Sequence, residues 1–435
     1  MKIFISTLIL LASLGRAGRT YAQLRFSSLQ ELLQYADKNS LVGRQSKLQL
    51  DISRKDATIN KSGLLPKVNV FGTADYYPII ASQVIPAVIF GGPADKYTKV
   101  QFGLPYSFSS GVELSVPALN FEKWDQLKRF RLQSLQTDWA AKASREALQI
   151  QLTQTYYQAL LAAELLKLNR SNQQITDELM GLLDKRKSNG VLNPADYNRS
   201  KNLQLDVLTA GVEYDRNYTQ AMIVLHQLLN LPDSLPVVLS DSIATGAWKE
   251  APQAVSPASR PGWKQAEAAV AVAEQQVKES QKAALPKIAL NAKYTYQWQL
   301  KPSTSQQVNF DYSNIGLRLD FPLFQGGFYN ASRQKSEEQW QLAKLNQQQT
   351  ANDLTRQQSE WWNGYNAARK KDALLQQKLA VAEDNLRIAR LSMKEGVMEF
   401  EEFNNIFQEY NKARMDFLQN TSDGIVYQLL LIQKW

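Results

Sequence analysis

Few residues of this chain have the types and spacing to make or break a bond. It has one histidine, His226, and no cysteine. His226 lies in Ile223-Val224-Leu225-His226-Gln227-Leu228, and a lone histidine on an amphipathic helix reads as a packing or interface residue. Without cysteine there is no disulfide, thiolate metal site, cysteine nucleophile or lipidated N-terminal cysteine. No GxGxxG, P-loop, HExxH or GxSxG pattern occurs. Carboxylates are plentiful, but they lie along helices facing water and no catalytic pair stands out. No catalytic residue, cofactor or metal ligand is expected. The charges that do cluster are Glu395, Glu399, Glu401 and Glu402, around Gly396-Val397. Such a cluster draws cations. A solvated helix start favoured by its dipole would carry the same acids.

The net charge is +9 and the pI about 9.3. The basic residues are spread along both halves and alternate with acidic ones, the pattern of a solvated helical surface rather than of a nucleic-acid partner. Residues 1–22 read as a signal peptide: Lys2, a short apolar run, then Thr20-Tyr21-Ala22 before Gln23. That run is too short to span a bilayer, and no later segment offers about 20 apolar residues in a row. An exported chain of this kind can enter a membrane as a closed barrel.

The elements that must position the clustered charges occur twice. Leu65-Pro66-Lys67-Val68 returns as Leu285-Pro286-Lys287-Ile288, Tyr156-Tyr157 as Trp361-Trp362, and Gly190-Val191 as Gly396-Val397. The chain is therefore a duplicated unit. A first repeat is expected over residues 23–231, with strands about 67–77 and 107–119, a long helix about 120–186 and a helix over 194–230. Residues 232–262 read as a linker. A second repeat over 263–435 carries strands about 287–300 and 312–324, a long helix about 328–395 and a helix over 400–433. Shorter helices are also expected over 29–63 and 263–284.

The strands alternate strictly. Ile288, Leu290, Ala292, Tyr294, Tyr296 and Trp298 take one side, and Ile315, Leu317, Leu319 and Phe321 do so in the next strand. Glu113, Arg318 and Asp320 fall on the wet side. This is the lipid-out, lumen-in pattern of an outer-membrane strand with aromatics near one end. A half-buried soluble sheet alternates identically. The export signal, and the lack of any apolar layer to cover such strands, favour the barrel. Four strands cannot close a lipid-facing barrel, which needs about eight or more. Several chains must contribute. The long helices, at about 60 residues and roughly 90 Å, exceed the need of any compact domain. Their thin apolar stripes suit coiled-coil neighbours around a wet interior. The segment 78–106 between the first two strands is long and apolar, and is expected to pack over the barrel mouth or against a neighbour.

Each half thus reads helix, Leu-Pro, strand, loop, strand ending in Pro, long helix, Gly-Val turn, helix. With Phe321-Pro322-Leu323-Phe324-Gln325-Gly326-Gly327, this order resembles the TolC-like outer-membrane efflux protein family over the whole mature chain. The resemblance implies a mainly α protein with a transmembrane β-barrel. It implies a homotrimer whose twelve-stranded barrel in the outer membrane continues as an α-helical coiled-coil barrel in the periplasm. It implies a passive exit duct that docks on a periplasmic adaptor (membrane fusion protein) and an inner-membrane pump of RND or ABC type, in a Gram-negative bacterium. The docking tips would be Gly190, Val191, Leu192 and Asn193, and Gly396, Val397, Met398 and Glu399. Asp196 and Glu402 match an acid that the family carries six residues past the glycine, and with Glu395 they would make the tunnel entrance acidic. The chain departs from the family where Asn193 and Glu399 stand near its usual Ser or Thr. Asn405 replaces a second acid, and Met398 an arginine of its acid–arginine entrance links. A secreted periplasmic scaffold without a barrel is the alternative reading.

These readings separate on one experiment. Placing Lys at Leu290 and at Leu319 should block membrane assembly, since a Lys at mid-bilayer on the lipid face of a barrel costs about 2–4 kcal/mol. Membrane fractionation reads the result, and a scaffold would tolerate both changes.

Overall fold

The computed structural model describes residues 23–190, 193–232, 234–243, 252 and 255–432. The expected signal peptide, the tip residues Val191 and Leu192, and the last residue of the helix expected over 400–433 lie outside the described residues. The chain forms two compact units. The first comprises Met1–Gln45, Ser144–Val255 and Arg356–Trp435, and the second Ser46–Ala143 and Ser256–Thr355. This division differs from the repeat halves, because each unit draws segments from both.

The second unit is built on a four-stranded antiparallel sheet. Its strands are β2 (Lys67–Tyr76), β5 (Tyr106–Leu119), β7 (Lys287–Lys301) and β8 (Gln306–Asp320), in the order β2-β5-β7-β8. Pro117 of β5 lies beyond the last residue paired with β2, so its missing N–H removes no ladder bond there. A register shift follows between Pro117 and Leu119. The segment expected as loop 78–106 contains a hairpin of its own, β3 (Ser82–Pro86) with β4 (Tyr97–Gln101). Its tip carries exposed Val88, Ile89 and Phe90.

Four helical segments share this unit. The helix expected over 29–63 is two helices, α1 (Leu29–Asn39) and α2 (Leu41–Ser62), and most of α2 lies here. The break is local chemistry. Ser40 turns to φ −62°, ψ 147°, and its hydroxyl accepts from the Gly43 N–H at 3.2 Å, capping α2. The other segments are α5 (Pro261–Lys282) and the starts of α3 (Phe121–Ser188) and α6 (Phe328–Glu395). Buried charge ties α3 to α5. Asp125, 2% exposed, meets Lys282 at 2.6 Å and Lys128 at 3.3 Å, and Arg129 meets Glu279 at 2.7 Å. Burial pushes the Asp125 carboxyl up, but bonds to Lys282 and Lys128 outweigh it and leave the group below its usual range.

The first unit packs α1, the remainder of α3 and α6, α4 (Pro194–Leu229) and α7 (Phe400–Ile432). Ser28 caps α1, while Ser27 donates to Glu31 from both its N–H and its hydroxyl. The largest core joins Leu32 and Ala36 of α1 to Leu152, Tyr156 and Leu160 of α3 and to Leu225 and Leu229 of α4. The Tyr156 hydroxyl donates to Asp241 at 2.9 Å. Burial and that carboxylate push the Tyr156 phenol up, and burial pushes neighbouring Tyr157 up to about 12. The linker expected over 232–262 contains β6 (Val237–Leu239), which pairs in parallel with β1 (Leu24–Phe26). His226 is half-buried, with Nδ1 2.7 Å from the Met222 carbonyl and Nε2 2.8 Å from that of Leu235.

The Asp125 cluster yields a pH dependence. A carboxyl with a depressed folded pKa stabilises the fold above its unfolded value of about 3.9, and that contribution is lost as pH falls through the folded value. Asp125→Asn should cost about 2 kcal/mol at pH 7, the scale of hydrogen bonds to a charged group. The gap to the parent should narrow on acidification below about pH 4, as followed by thermal unfolding across pH.

Candidate functional site

Two surfaces concentrate the residues singled out by the sequence. The first is the sheet of the second unit. Its register assigns every strand residue to one of two faces. Val68 and Val70, Val112 and Leu114, Ile288 and Leu290, and Ile315, Leu317 and Leu319 share one face. Near the hairpin end that face carries aromatics in cross-strand pairs: Tyr76 with Tyr106 at 4.7 Å, and Phe108 with Trp298 at 5.4 Å between ring centres. Aliphatic residues bounded by aromatics make the band that meets hydrocarbon and its interface.

Glu113, Arg318 and Asp320 lie together on the opposite face, where Glu113 stands across from Lys293 and Asp320 across from Lys287. The same face carries Asn291, Thr295, Gln297 and Ser107, and Gln297 donates to the Ser107 hydroxyl at 2.7 Å. Gly111 belongs to this face. A Cβ there would fall 2.1 Å from the Tyr294 carbonyl and 2.9 Å from the Phe71 ring, so only glycine lets Phe71 lie across the strand. Lys293 in turn sits over Phe71, its ammonium 4.4 Å from the ring centre. Sequence reasoning missed Val308, Phe310 and Tyr312. Val308 and Phe310 precede the strand start expected near residue 312, where Tyr312 stands, and the register turns all three to the polar face beside Gln299, Gln297 and Thr295.

The second surface is the pair of helix turns in the first unit. Gly190 and Gly396 adopt φ +75° and +81°, the left-handed conformation that ends a helix. Asn193 caps α4, its side chain accepting from the Ala195 N–H at 2.9 Å, and Pro194 occupies the first helical turn. The guanidinium of Arg186 donates to the Met393 carbonyl at 2.7 Å, tying the end of α3 to the end of α6. Arg199 lies 3.7 Å from Asp196 and 3.3 Å from Glu401, linking α4 to α7. Arg390 meets Glu178 at 2.7 Å. Tyr197 donates to Asp184, which pushes its phenol up. Beneath the turns Leu183, Val207, Met393, Phe403 and Phe407 form a buried cluster. Asp196 is thus engaged with Arg199. The expected acids Glu395 and Glu402 are exposed, as is Glu399. Exposed Val397 and half-buried Met398 complete the second turn. Among the described residues no group of three or more His, Asp or Glu has metal-binding geometry.

Further apolar residues are exposed at coiled-coil spacing. Leu374, Val381 and Ile388 of α6 recur at seven-residue steps, and Leu205, Leu208 and Val212 of α4 follow the same alternation of three and four.

The chain is 22% identical over 419 residues to the proteases secretion protein PrtF of Dickeya chrysanthemi, covering 90% of this chain and 86% of that one. Its fold is similar to that of the Campylobacter jejuni CmeC outer membrane channel, with TM-score 0.78, 15% identity, and 93% and 85% of the two chains covered. It is also similar to the outer membrane protein VceC of Vibrio cholerae, with TM-score 0.75, 15% identity, and 93% and 95% covered. Residues 32–231 and 256–424 match the outer membrane efflux protein family, and the chain belongs to that family of outer-membrane channels.

Proposed function

We propose that the protein is the passive outer-membrane exit duct of a tripartite efflux or export system, and that it catalyses no reaction. It works as a homotrimer with four strands from each copy in one twelve-stranded barrel. Its helices continue the duct through the periplasm to an adaptor and an inner-membrane pump. The observation that carries this reading is the open sheet, with its apolar outer face and two unpaired edges, β2 and β8. An open edge cannot stand in hydrocarbon, so other copies must complete the ring. The unpartnered seams on α4 and α6 support the same conclusion, because a coiled-coil stripe calls for a facing helix.

In this duct Glu113, Arg318 and Asp320 line the barrel lumen. Asp196, Glu395 and Glu402 stand at the tunnel entrance. The turns Gly190, Val191, Leu192, Asn193 and Gly396, Val397, Met398, Glu399 receive the adaptor. The channels of the family and the secretion role in the name of PrtF support this assignment.

The first test is the native mass of the protein extracted by detergent from outer membranes, with bound detergent subtracted. A mass near three chains is expected, and Val381→Glu with Ile388→Glu should lower it. A soluble monomer in the periplasm would sink the proposal. At the tips, Gly396→Val should leave the trimer intact and abolish adaptor-dependent export. A β-branched residue at φ +81° is strained by more than about 1 kcal/mol, and its Cβ would press on the Arg186 guanidinium, 3.1 Å away.

A further inference from the structure

The duct reading makes the sheet's polar face a lumen wall, and any selectivity of that wall rests on the same reading. The register decides which charges on this wall cancel. Glu113 faces Lys293, and Asp320 faces Lys287, whose ammonium also reaches Glu122 at 2.6 Å. At the hairpin end of the sheet Asp75 and Lys301 offset one another in sign. Besides Lys301, which stands opposite Gln306, two cations have no carboxylate across from them. Lys67 stands opposite Ser115, and Arg318 opposite Ala289.

Both belong to edge strands and to the helix-proximal ends of those strands. Lys67 opens β2, and Arg318 lies near the end of β8. When copies close a ring, β8 of one lies against β2 of the next. The cations then gather in a belt around the lumen, two from each copy, and outnumber the one acid left over where Lys287 serves both Asp320 and Glu122. Rings of fixed charge set ion preference in a pore, and low-dielectric walls concentrate their field. Beyond the belt Phe310 and Tyr312 present partly exposed rings on the same wall, beside Lys293 on Phe71. These rings offer an apolar surface to a cargo that carries a ring of its own. We infer that the barrel segment of the duct favours anionic over cationic cargo, and aromatic anions most.

The test uses the full-length protein in planar bilayers under a potassium chloride gradient, with the reversal potential as readout. Lys67→Glu with Arg318→Glu should lower the anion-to-cation permeability ratio severalfold, while Lys67→Arg with Arg318→Lys should leave it unchanged. The acidic helix tips are the same in every variant, so they drop out of the comparison. With benzoate in place of chloride, Phe310→Ser with Tyr312→Ser should lose benzoate permeation relative to chloride and keep the anion preference. Native mass confirms that each variant assembles. Charge-reversed pores that conduct with an unshifted reversal potential would overturn the inference. A parent protein that forms no pore would instead overturn the duct reading beneath it.

Discussion

An unpaired strand edge facing hydrocarbon is the constraint on which the rest of this molecule depends. Each buried backbone group without a partner costs several kcal/mol where no water can replace it. The sheet presents an aliphatic face with aromatic ends on one side and amides, hydroxyls and charges on the other. A soluble protein would have to cover the first face, and among the described residues Val68, Val70, Ile315, Leu317 and Leu319 of that face stay exposed. The strand order then decides the manner of closure. Neighbours are antiparallel at every step from β2 to β8, so the first and last strands run in opposite directions. β8 of one copy can therefore continue the antiparallel ladder with β2 of the next, and an assembly of copies closes without a parallel joint. Closure also puts the polar face inside, which makes the same side chains both the solution to an assembly problem and the wall of a pore.

The helices obey a looser form of the same rule. Their cores lie where several helices meet, around Leu152, Tyr156 and Leu225 and again around Met393, Phe403 and Phe407. Two smaller clusters, around Trp361, Tyr365 and Leu430 and around Leu379, Ala382 and Phe417, continue the packing of α6 on α7. A seam left exposed along α4 and α6 in a single chain is a liability that a coiled-coil neighbour removes. Sheet and helices therefore both ask for additional copies, through backbone hydrogen bonds in one unit and side-chain burial in the other.

Much of this was legible in the sequence because the bilayer imposes a pattern that survives without tertiary context. Alternation at Ile288–Trp298 and Ile315–Phe321 separated the two faces, and the long proline-free stretches marked α3 and α6. The pattern failed where the bilayer no longer selects. In the first half of β8 the apolar residues Val308, Phe310 and Tyr312 sit on the wall that also holds Arg318, so periodicity alone missed the strand start. The parallel pairing of Leu24–Phe26 with Val237–Leu239 was invisible because three-residue strands carry no period. The split at Ser40 rests on one hydroxyl capping one N–H, a contact that a run of helical residues hides. At the tips the glycines and the Asn193-Pro194 start were readable from residue type. Arg186 was not, because its partner is a backbone carbonyl on another helix.

That last bond explains why the two turns differ in kind. The final carbonyls of a helix lack intrahelical partners and carry the negative end of its dipole. On α6, Arg186 takes up one of them, Met393, and its side chain also fills the space beside Gly396. The end of α6 is thus held from outside as well as by its own turn, where the Gly396 N–H also donates to Met393 and the Val397 N–H to Ser392. The α3–α4 turn is held locally, by Asn193 on Ala195 and by Lys187, whose ammonium lies 3.8 Å from the centre of the Tyr197 ring. A cationic side chain spent on a helix carbonyl is unavailable to a carboxylate, so the links between helices at this end fall to Arg199 and Arg390, which meet Glu401 and Glu178. These ion pairs are solvent-exposed, and exposed pairs contribute about 0–1 kcal/mol and weaken with salt. The Arg186 bond and the packing of Phe403 and Phe407 under the turns therefore hold the tips more firmly than any ion pair on their surface.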